Sequence, residues 1–229
     1  GTDMSLIVTK QKKDIKNIVY LNSIDELNYI KEKDKYIEVG ATTPLSKFES
    51  IIKKYYPDFN RILKRYGSVQ IRNVATLAGN IATASPIGDS LPLLLSLDAS
   101  ISIESFNKKM TIPLKDFFIG YRKTKLKKGQ FISSIKIPIF KKNIFKAYKI
   151  SKRIDDDISS VCASFNLAIV NKKIKDIKIA YGGMAATPKR AVYCEKMLLN
   201  SNFSEDIILK AQKSLEKDFQ PIDDMRASK

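Results

Sequence analysis

The chain has 229 residues, 44% of them hydrophobic, with 41 lysines and arginines against 24 aspartates and glutamates, a net charge of +17. That length and apolar content suffice for a buried core in one domain or two small ones, and no apolar run reaches the eighteen residues of a membrane span. The chain has no histidine, which excludes a Ser–His–Asp triad, an HExxH zinc site and an imidazole general base.

The chain opens GTDMSLIVTKQ. Gly1 and Thr2 read as the end of a glycine-containing turn, and Met4–Val8 as an apolar run, so residues 1–10 are expected to be a loop entering a helix. YIEVGA (36–41) reads as a short strand. Thr43 is expected to cap a helix with Pro44 at its first position, where a missing N–H costs nothing. Leu45, Phe48, Ile51, Ile52 and Tyr55 fall on one face of that helix. A second short helix, 58–66, should end at Gly67.

The next stretch, QIRNVATLAGNIATASPIGDS (70–90), has one acid and one base. Its alanines, glycines, serines, threonines and asparagines make poor core and poor helix, yet they let backbone amides come close to a ligand rich in phosphate or carbonyl oxygen. Residues 90–97 read as a short helix, with Asp89 placed to cap it. SISIES and FISSIKIPI alternate as half-buried strands, and LKDFFIGYRKT reads as a long functional loop between them.

From Asn143 the pattern changes. FKAYKISK, SVCASFNLAIV and IKDIKIAYGG read as three strands, the last two joined by a turn at Asn171–Lys173. Two helices follow, the first capped by Thr187 with Pro188 in its opening turn, the second capped by Ser204 with Glu205 and Asp206 well placed at its N-terminus. Strands followed by helices indicate an α+β fold with antiparallel sheets. The join at IFKKN predicts two domains, 1–140 and 141–229.

Only seven of the 41 basic residues are arginines, and the lysines are scattered through every segment. Nucleic-acid binders cluster arginine and interleave aromatics, so the charge reads as lysine-rich solvated surface, with a basic nucleic-acid-binding domain as the rival reading. Cys162 and Cys194 are isolated, form no CxxC and supply no metal or iron–sulfur site. They suit a reducing compartment, and without a signal peptide the protein is expected to be cytoplasmic. GxGxxG and GxxxxGK[ST] are both absent, so an enzymatic role would need a cofactor to supply the chemistry.

QIRNVATLAGNIATASPIGDSLPLLLSLDA resembles the second FAD-binding signature of the flavoprotein domain of molybdenum hydroxylases. GTDM is similar to the end of that family's first glycine-rich FAD loop. FFIGYRKT, AYKISKRIDDDIS, YGGMAATPKRA and DDMRAS continue the match in order, the middle two most like the FAD domain of the small subunit of bacterial xanthine dehydrogenases. The likeness spans essentially the whole chain. The cysteine-rich region that carries two [2Fe–2S] clusters in that family is not among these residues, nor is the upstream half of the first FAD loop.

The resemblance implies an FAD-binding domain followed by a small three-stranded antiparallel sheet with helices. It implies that Thr76, Leu77, Ala78, Gly79 and Asn80 wrap the FAD, with Ala78 and Gly79 small so that backbone can approach. It also implies cofactor contacts at Gly1, Thr2, Asp3, Met4, Tyr66, Asp89, Ile132 and Lys149, and places Asp3 and Asp156 near the flavin as modulators. The implied chemistry is purine hydroxylation at a molybdenum cofactor on a molybdopterin-binding large subunit. Electrons then pass through [2Fe–2S] clusters on an iron–sulfur domain of the same subunit to FAD, and as hydride to NAD. The alternative is a sister enzyme acting on carbon monoxide, nicotinate or an aldehyde. Neither a nucleic acid nor a membrane is an expected partner.

Overall fold

The computed structural model describes residues 2–221 and 223. Helix α1 (Met4–Thr9) leads through an irregular stretch to strands β1 (Ile30–Glu32) and β2 (Tyr36–Gly40). Five helices follow: α2 (Leu45–Tyr55), α3 (Pro57–Lys64), α4 (Val69–Arg72), α5 (Leu77–Thr83) and α6 (Ser90–Ser96). Strands β3 (Ser100–Ser105) and β4 (Lys108–Pro113) precede a small hairpin, β5 (Phe118–Gly120) and β6 (Lys123–Thr124), and then β7 (Phe131–Pro138). The remainder is β8 (Ile144–Ile150), β9 (Val161–Val170), β10 (Lys173–Gly182), β11 (Lys189–Arg190), α7 (Val192–Leu198) and α8 (Glu205–Asp218). The fold is α+β, and its sheets are antiparallel.

The first sheet has the order β1-β2-β7-β3-β4 and the second β11-β10-β9-β8. Helix α6 lies between them. All seven of its residues are buried, as expected of a helix that is apolar around most of its circumference. Pro92 sits in its first turn, where the amide has no intrahelical partner to lose. Leu91, Leu93 and Leu94 join a core that contains Ile135 of the first sheet and Ala147, Cys162 and Ala180 of the second.

The second sheet is covered on both faces. Asn166 of β9 donates from Nδ2 to Ser96 O of α6 at 3.1 Å, and Ser164 Oγ bonds Ser96 Oγ. Phe165 and Leu167, on the other face of β9, pack on the cluster of Ile177, Ile179, Cys194, Leu198 and Phe219. The β9–β10 turn uses Asn171 and Lys172, both at positive φ (50° and 62°), the backbone of a two-residue hairpin turn matched to strand twist.

Several expectations change on contact with tertiary structure. The second sheet has a fourth strand, because Thr187–Pro188 lead into β11 rather than a helix. There Arg190 donates two bonds to the Glu195 carboxylate and a third to Asp98, and the helix starts only at Val192. Thr43 does not cap α2; its hydroxyl donates to Tyr29 O at 2.9 Å, and Pro44 occupies the cap position. β7 is central rather than half-buried, with β2 on one side, β3 on the other, and Ile132 to Ile135 all buried. LKDFFIGYRKT contains a hairpin rather than an open loop. The small-residue stretch, read as poor helix, holds α5: Thr76 caps it by accepting from Gly79 N at 3.0 Å, and Leu77 and Ile81 bury its apolar side.

Tyr56 ties the α2–α3 corner to the end of β7, donating to Pro138 O at 2.7 Å and accepting from Phe140 N at 3.0 Å. Burial pushes its phenol up to about 12. A pKa raised in the fold means stability that is complete below the unfolded value of about 10. That contribution is lost as pH rises from about 10 to about 12. Urea unfolding across this window should show the loss, and Tyr56→Phe should remove its share while leaving those of Tyr66 and Tyr181, whose phenols burial also raises.

Candidate functional site

A cleft of about 590 Å³ opens between the α3–α4 corner, the end of α5, the 85–89 turn and the 151–159 loop. Its size is that of a small-molecule or cofactor pocket. At its base, Lys149 of β8 donates from Nζ to Asp89 Oδ2 at 2.6 Å and to Arg65 O at 3.1 Å. The two side chains are only 2% and 8% exposed. Ser159 Oγ bonds the other Asp89 oxygen, so Asp89 is a hub of the site and makes no cap bond to α6. Arg65 is the residue just beyond α3, and its carbonyl lies at the negative end of that helix dipole, which favours an ammonium.

An ammonium has three N–H donors. Two are taken by protein among the described residues, and Lys149 lines the cleft. Asn80 is buried; its Oδ1 accepts from Ser90 Oγ at 2.6 Å, and it lines the cleft beside Tyr66. Burial, and then the charges of Asp89 and Asp3, push the Tyr66 phenol well above its ordinary value, so it remains neutral in the cleft wall.

The rim is the 151–159 loop. Asp157 accepts from the amides of Arg153 (2.8 Å) and Ile158 (3.0 Å), which hold its carboxyl below the ordinary range and close the loop on itself. Asp156 stands at the turn with φ +48° and faces the cleft. Asp3 lines the opposite side, held by Thr83 Oγ1 at 3.0 Å. Burial also raises the thiols of Cys162, well above its ordinary value, and Cys194, to about 11; neither is a nucleophile at neutral pH.

Of the residues anticipated from sequence, Asp3, Tyr66, Asn80, Asp89, Lys149 and Asp156 line this one cleft. Thr76 acts as the α5 cap, and Leu77 and Ala78 are buried behind the cleft. Ile132 is buried in β7 and belongs to the core. Thr2 and Met4 lie at the start of α1, Met4 exposed, and Gly1 falls outside the described residues, as does most of DDMRAS. Sequence reasoning passed over Arg65, Arg122 and Ser159. Arg122 lies in the quoted GYRKT at φ +51° and reaches the cleft; its signal was its rarity among lysines.

The site suits a flavin dinucleotide. Gly79 is exposed and stands outside the lining of the cleft; a Cβ built there would crowd the capping Thr76 Oγ1 at 3.1 Å and meet nothing else within 4 Å. The donor set of Lys149, Asn80 and Tyr66 supplies polar contacts for a heteroaromatic ring edge, and Ile71 and Ile87 supply apolar wall. Gly79→Val is expected to lower the melting temperature by a few degrees, because the new Cβ crowds the Thr76 cap, and to weaken FAD binding at least tenfold, about 1.4 kcal/mol. Flavin fluorescence titration checks it; unchanged affinity would remove this turn from the site.

Comparison with known proteins agrees with this chemistry. Residues 1–140 match the FAD binding domain in molybdopterin dehydrogenase, and residues 146–229 match the CO dehydrogenase flavoprotein C-terminal domain. The chain is 35% identical over 216 residues to a xanthine dehydrogenase of Emericella nidulans, an alignment covering 88% of this chain and 16% of that protein. It is 31% identical over 217 residues to the glyceraldehyde dehydrogenase medium chain of Sulfolobus acidocaldarius, covering 92% of this chain and 75% of that one. In fold it superposes with a TM-score of 0.92 on a chain of the carbon monoxide dehydrogenase from Hydrogenophaga pseudoflava, at 23% identity, covering 98% of this chain and 79% of the other.

The chain thus has the make-up of an FAD-binding flavoprotein module. It belongs to the family of FAD-binding domains of molybdopterin dehydrogenases. It spans about one sixth of the xanthine dehydrogenases it matches. No helix among the described residues is long and apolar enough to cross a membrane.

Proposed function

We propose that the cleft holds the isoalloxazine end of FAD and that the chain serves as the electron-transfer module of a cytoplasmic xanthine dehydrogenase-like enzyme. Residues 1–140 and 141–229 act as its two lobes, and its partners are an iron–sulfur domain and a molybdopterin-binding large subunit. Bound FAD supplies the exchange between single electrons from [2Fe–2S] clusters and a hydride to NAD.

The observation that carries the reading is the buried Lys149 ammonium at the base of the cleft, held by Asp89 and the Arg65 carbonyl. Paired with Asp89, the ammonium is fixed in place and presents a charge-assisted donor to the ring edge, in a setting that water screens little. Tyr66, kept as a neutral phenol, presents an aromatic wall and an O–H. Asp156 and Asp3, at the open side, set the field where a dinucleotide approaches. Thr76, Leu77, Ala78 and Gly79 carry the backbone along which the diphosphate lies. Gly1, Thr2 and Met4 complete that side, and Ile132 supports the site from the core.

The test is titration of the chain with FAD, FMN and NAD by fluorescence. Saturable binding of FAD at one equivalent, with FMN weaker, supports the reading; absence of FAD binding overturns it. In the assembled enzyme, reduction by xanthine supports the purine assignment. A second reading rests on the 75% coverage of the glyceraldehyde dehydrogenase medium chain: a separate flavin subunit of an aldehyde-oxidising enzyme. Reduction by an aldehyde but not by xanthine would select it.

A further inference from the structure

We propose that Arg65 is a positioning residue of the cleft, clamping Lys149 and the 151–159 rim loop in the arrangement that receives the flavin. Its guanidinium donates from Nε to Ile154 O at 2.8 Å, from Nη1 to Lys149 O at 3.0 Å and from Nη2 to Ser151 Oγ at 2.9 Å. Its own carbonyl accepts from Lys149 Nζ at 3.1 Å. Both ends of one residue therefore grip Lys149, the carbonyl at the ammonium and the fork at the backbone.

Those acceptors lie on three different residues of the β8 end and the rim loop. A planar fork with five donors in fixed directions can reach all three at once; a lysine ammonium is a point donor on a flexible stem and cannot. The loop's internal bonds, Ser151 Oγ to Arg153 O at 2.6 Å and those of Asp157, shape it without attaching it to the helices. Arg65 attaches the loop to the α3 corner, and Ser159 ties its far end to Asp89. Because the next residue is Tyr66, it also sets the spacing between the Tyr66 wall and the rim that carries Asp156 and Ser159. Ser159 in turn holds Asp89, the partner of Lys149. Arg65 thus acts through Lys149 and the loop rather than on the ligand.

The inference rests on the flavin reading of the cleft, and the test separates the two. Hydrogen exchange of the amides of residues 153–158 is measured in the FAD-free full chain, and FAD affinity is measured by fluorescence, for Arg65→Met, Arg65→Lys and Ser151→Ala. Arg65→Met should speed exchange of the loop at least tenfold and weaken FAD about tenfold. Arg65→Lys should restore neither, since charge alone cannot bridge three acceptors. Ser151→Ala, which removes one acceptor together with the bond to Arg153 O, should give an intermediate change, and the loop exchange of Arg65→Lys decides the matter if Arg65→Met does not fold. Unchanged loop exchange, or full recovery in Arg65→Lys, would overturn the clamp. If the native chain takes up no FAD while loop exchange still rises, the clamp stands and the flavin reading is what fails.

Discussion

Lys149→Met is expected to lower the unfolding free energy by about 3–5 kcal/mol and to abolish FAD binding. Methionine keeps most of the lysine stem, so packing changes little. What is lost is the ammonium that neutralises Asp89, whose side chain is only 8% exposed. Removing one member of a buried pair leaves an uncompensated charge, and that penalty is the origin of the figure. For a chain of this size, about 2–4 °C of melting temperature goes with each kcal/mol, so a fall of roughly 10 °C should be visible. Adding Asp89→Asn to Lys149→Met should recover much of the stability, because Ser159 can still bond the amide, while FAD binding stays lost. A single variant that loses under 1 kcal/mol in urea unfolding would show that the pair is not the buried hub described.

Gly183→Ala should rank next. Gly183 sits at φ +88°, and a Cβ there would stand 2.2 Å from Ser160 O and 3.2 Å from Ser160 C. Backbone cannot swing away as a side-chain tip can. The Gly183 amide also donates to Pro86 O at 2.8 Å, so the YGG turn joins the 85–89 turn to the end of the rim loop. Left-handed backbone costs about 1–3 kcal/mol, and displacement of Ser160 adds to it, giving about 3–4 kcal/mol. The shift passes to Ser159 and from there to Asp89, so FAD should bind more weakly as well. Gly129→Ala is the control: φ is +78° but nothing lies within 4 Å of the added Cβ, so only the backbone term of about 1 kcal/mol should appear. Equal losses for the two would mean that the contact with Ser160 does not matter.

The elements legible in sequence are those fixed by local pattern. The amphipathic face of α2 buries Leu45, Phe48 and Ile52 where the spacing put them, and the β9–β10 hairpin turns at Asn171–Lys172. Elements decided by distant partners were not legible. Helix α5, with Gly79, Asn80 and Thr83 among its seven residues, has weak helix propensity and exists through its Thr76 cap and the burial of Leu77 and Ile81. Thr187–Pro188 has the chemistry of a helix start, yet the bonds of Arg190 to Glu195 and Asp98 draw it into a strand.

The site divides the same way. Lys149 is one lysine among many, and nothing local marks it; its partner Asp89 is 60 residues away. Family resemblance could point to it because resemblance encodes such long-range partners. Arg65 escaped notice because its acceptors lie 84 to 89 residues further on, and two of them are backbone carbonyls, which any residue type supplies. Asp89 was weighed as a helix cap, the local role of an aspartate before Ser90–Ser96, but the buried Lys149 and Ser159 claim both of its oxygens.

The central claim is that FAD occupies the cleft built around Lys149 and Asp89. Hydrogen exchange of the full chain with and without saturating FAD tests it most directly. The account predicts slowed exchange at 76–80, 85–89 and 149–159 together, and loss of all three protections in Lys149→Met. Bound FAD that leaves these segments unchanged and protects another part of the surface would contradict it.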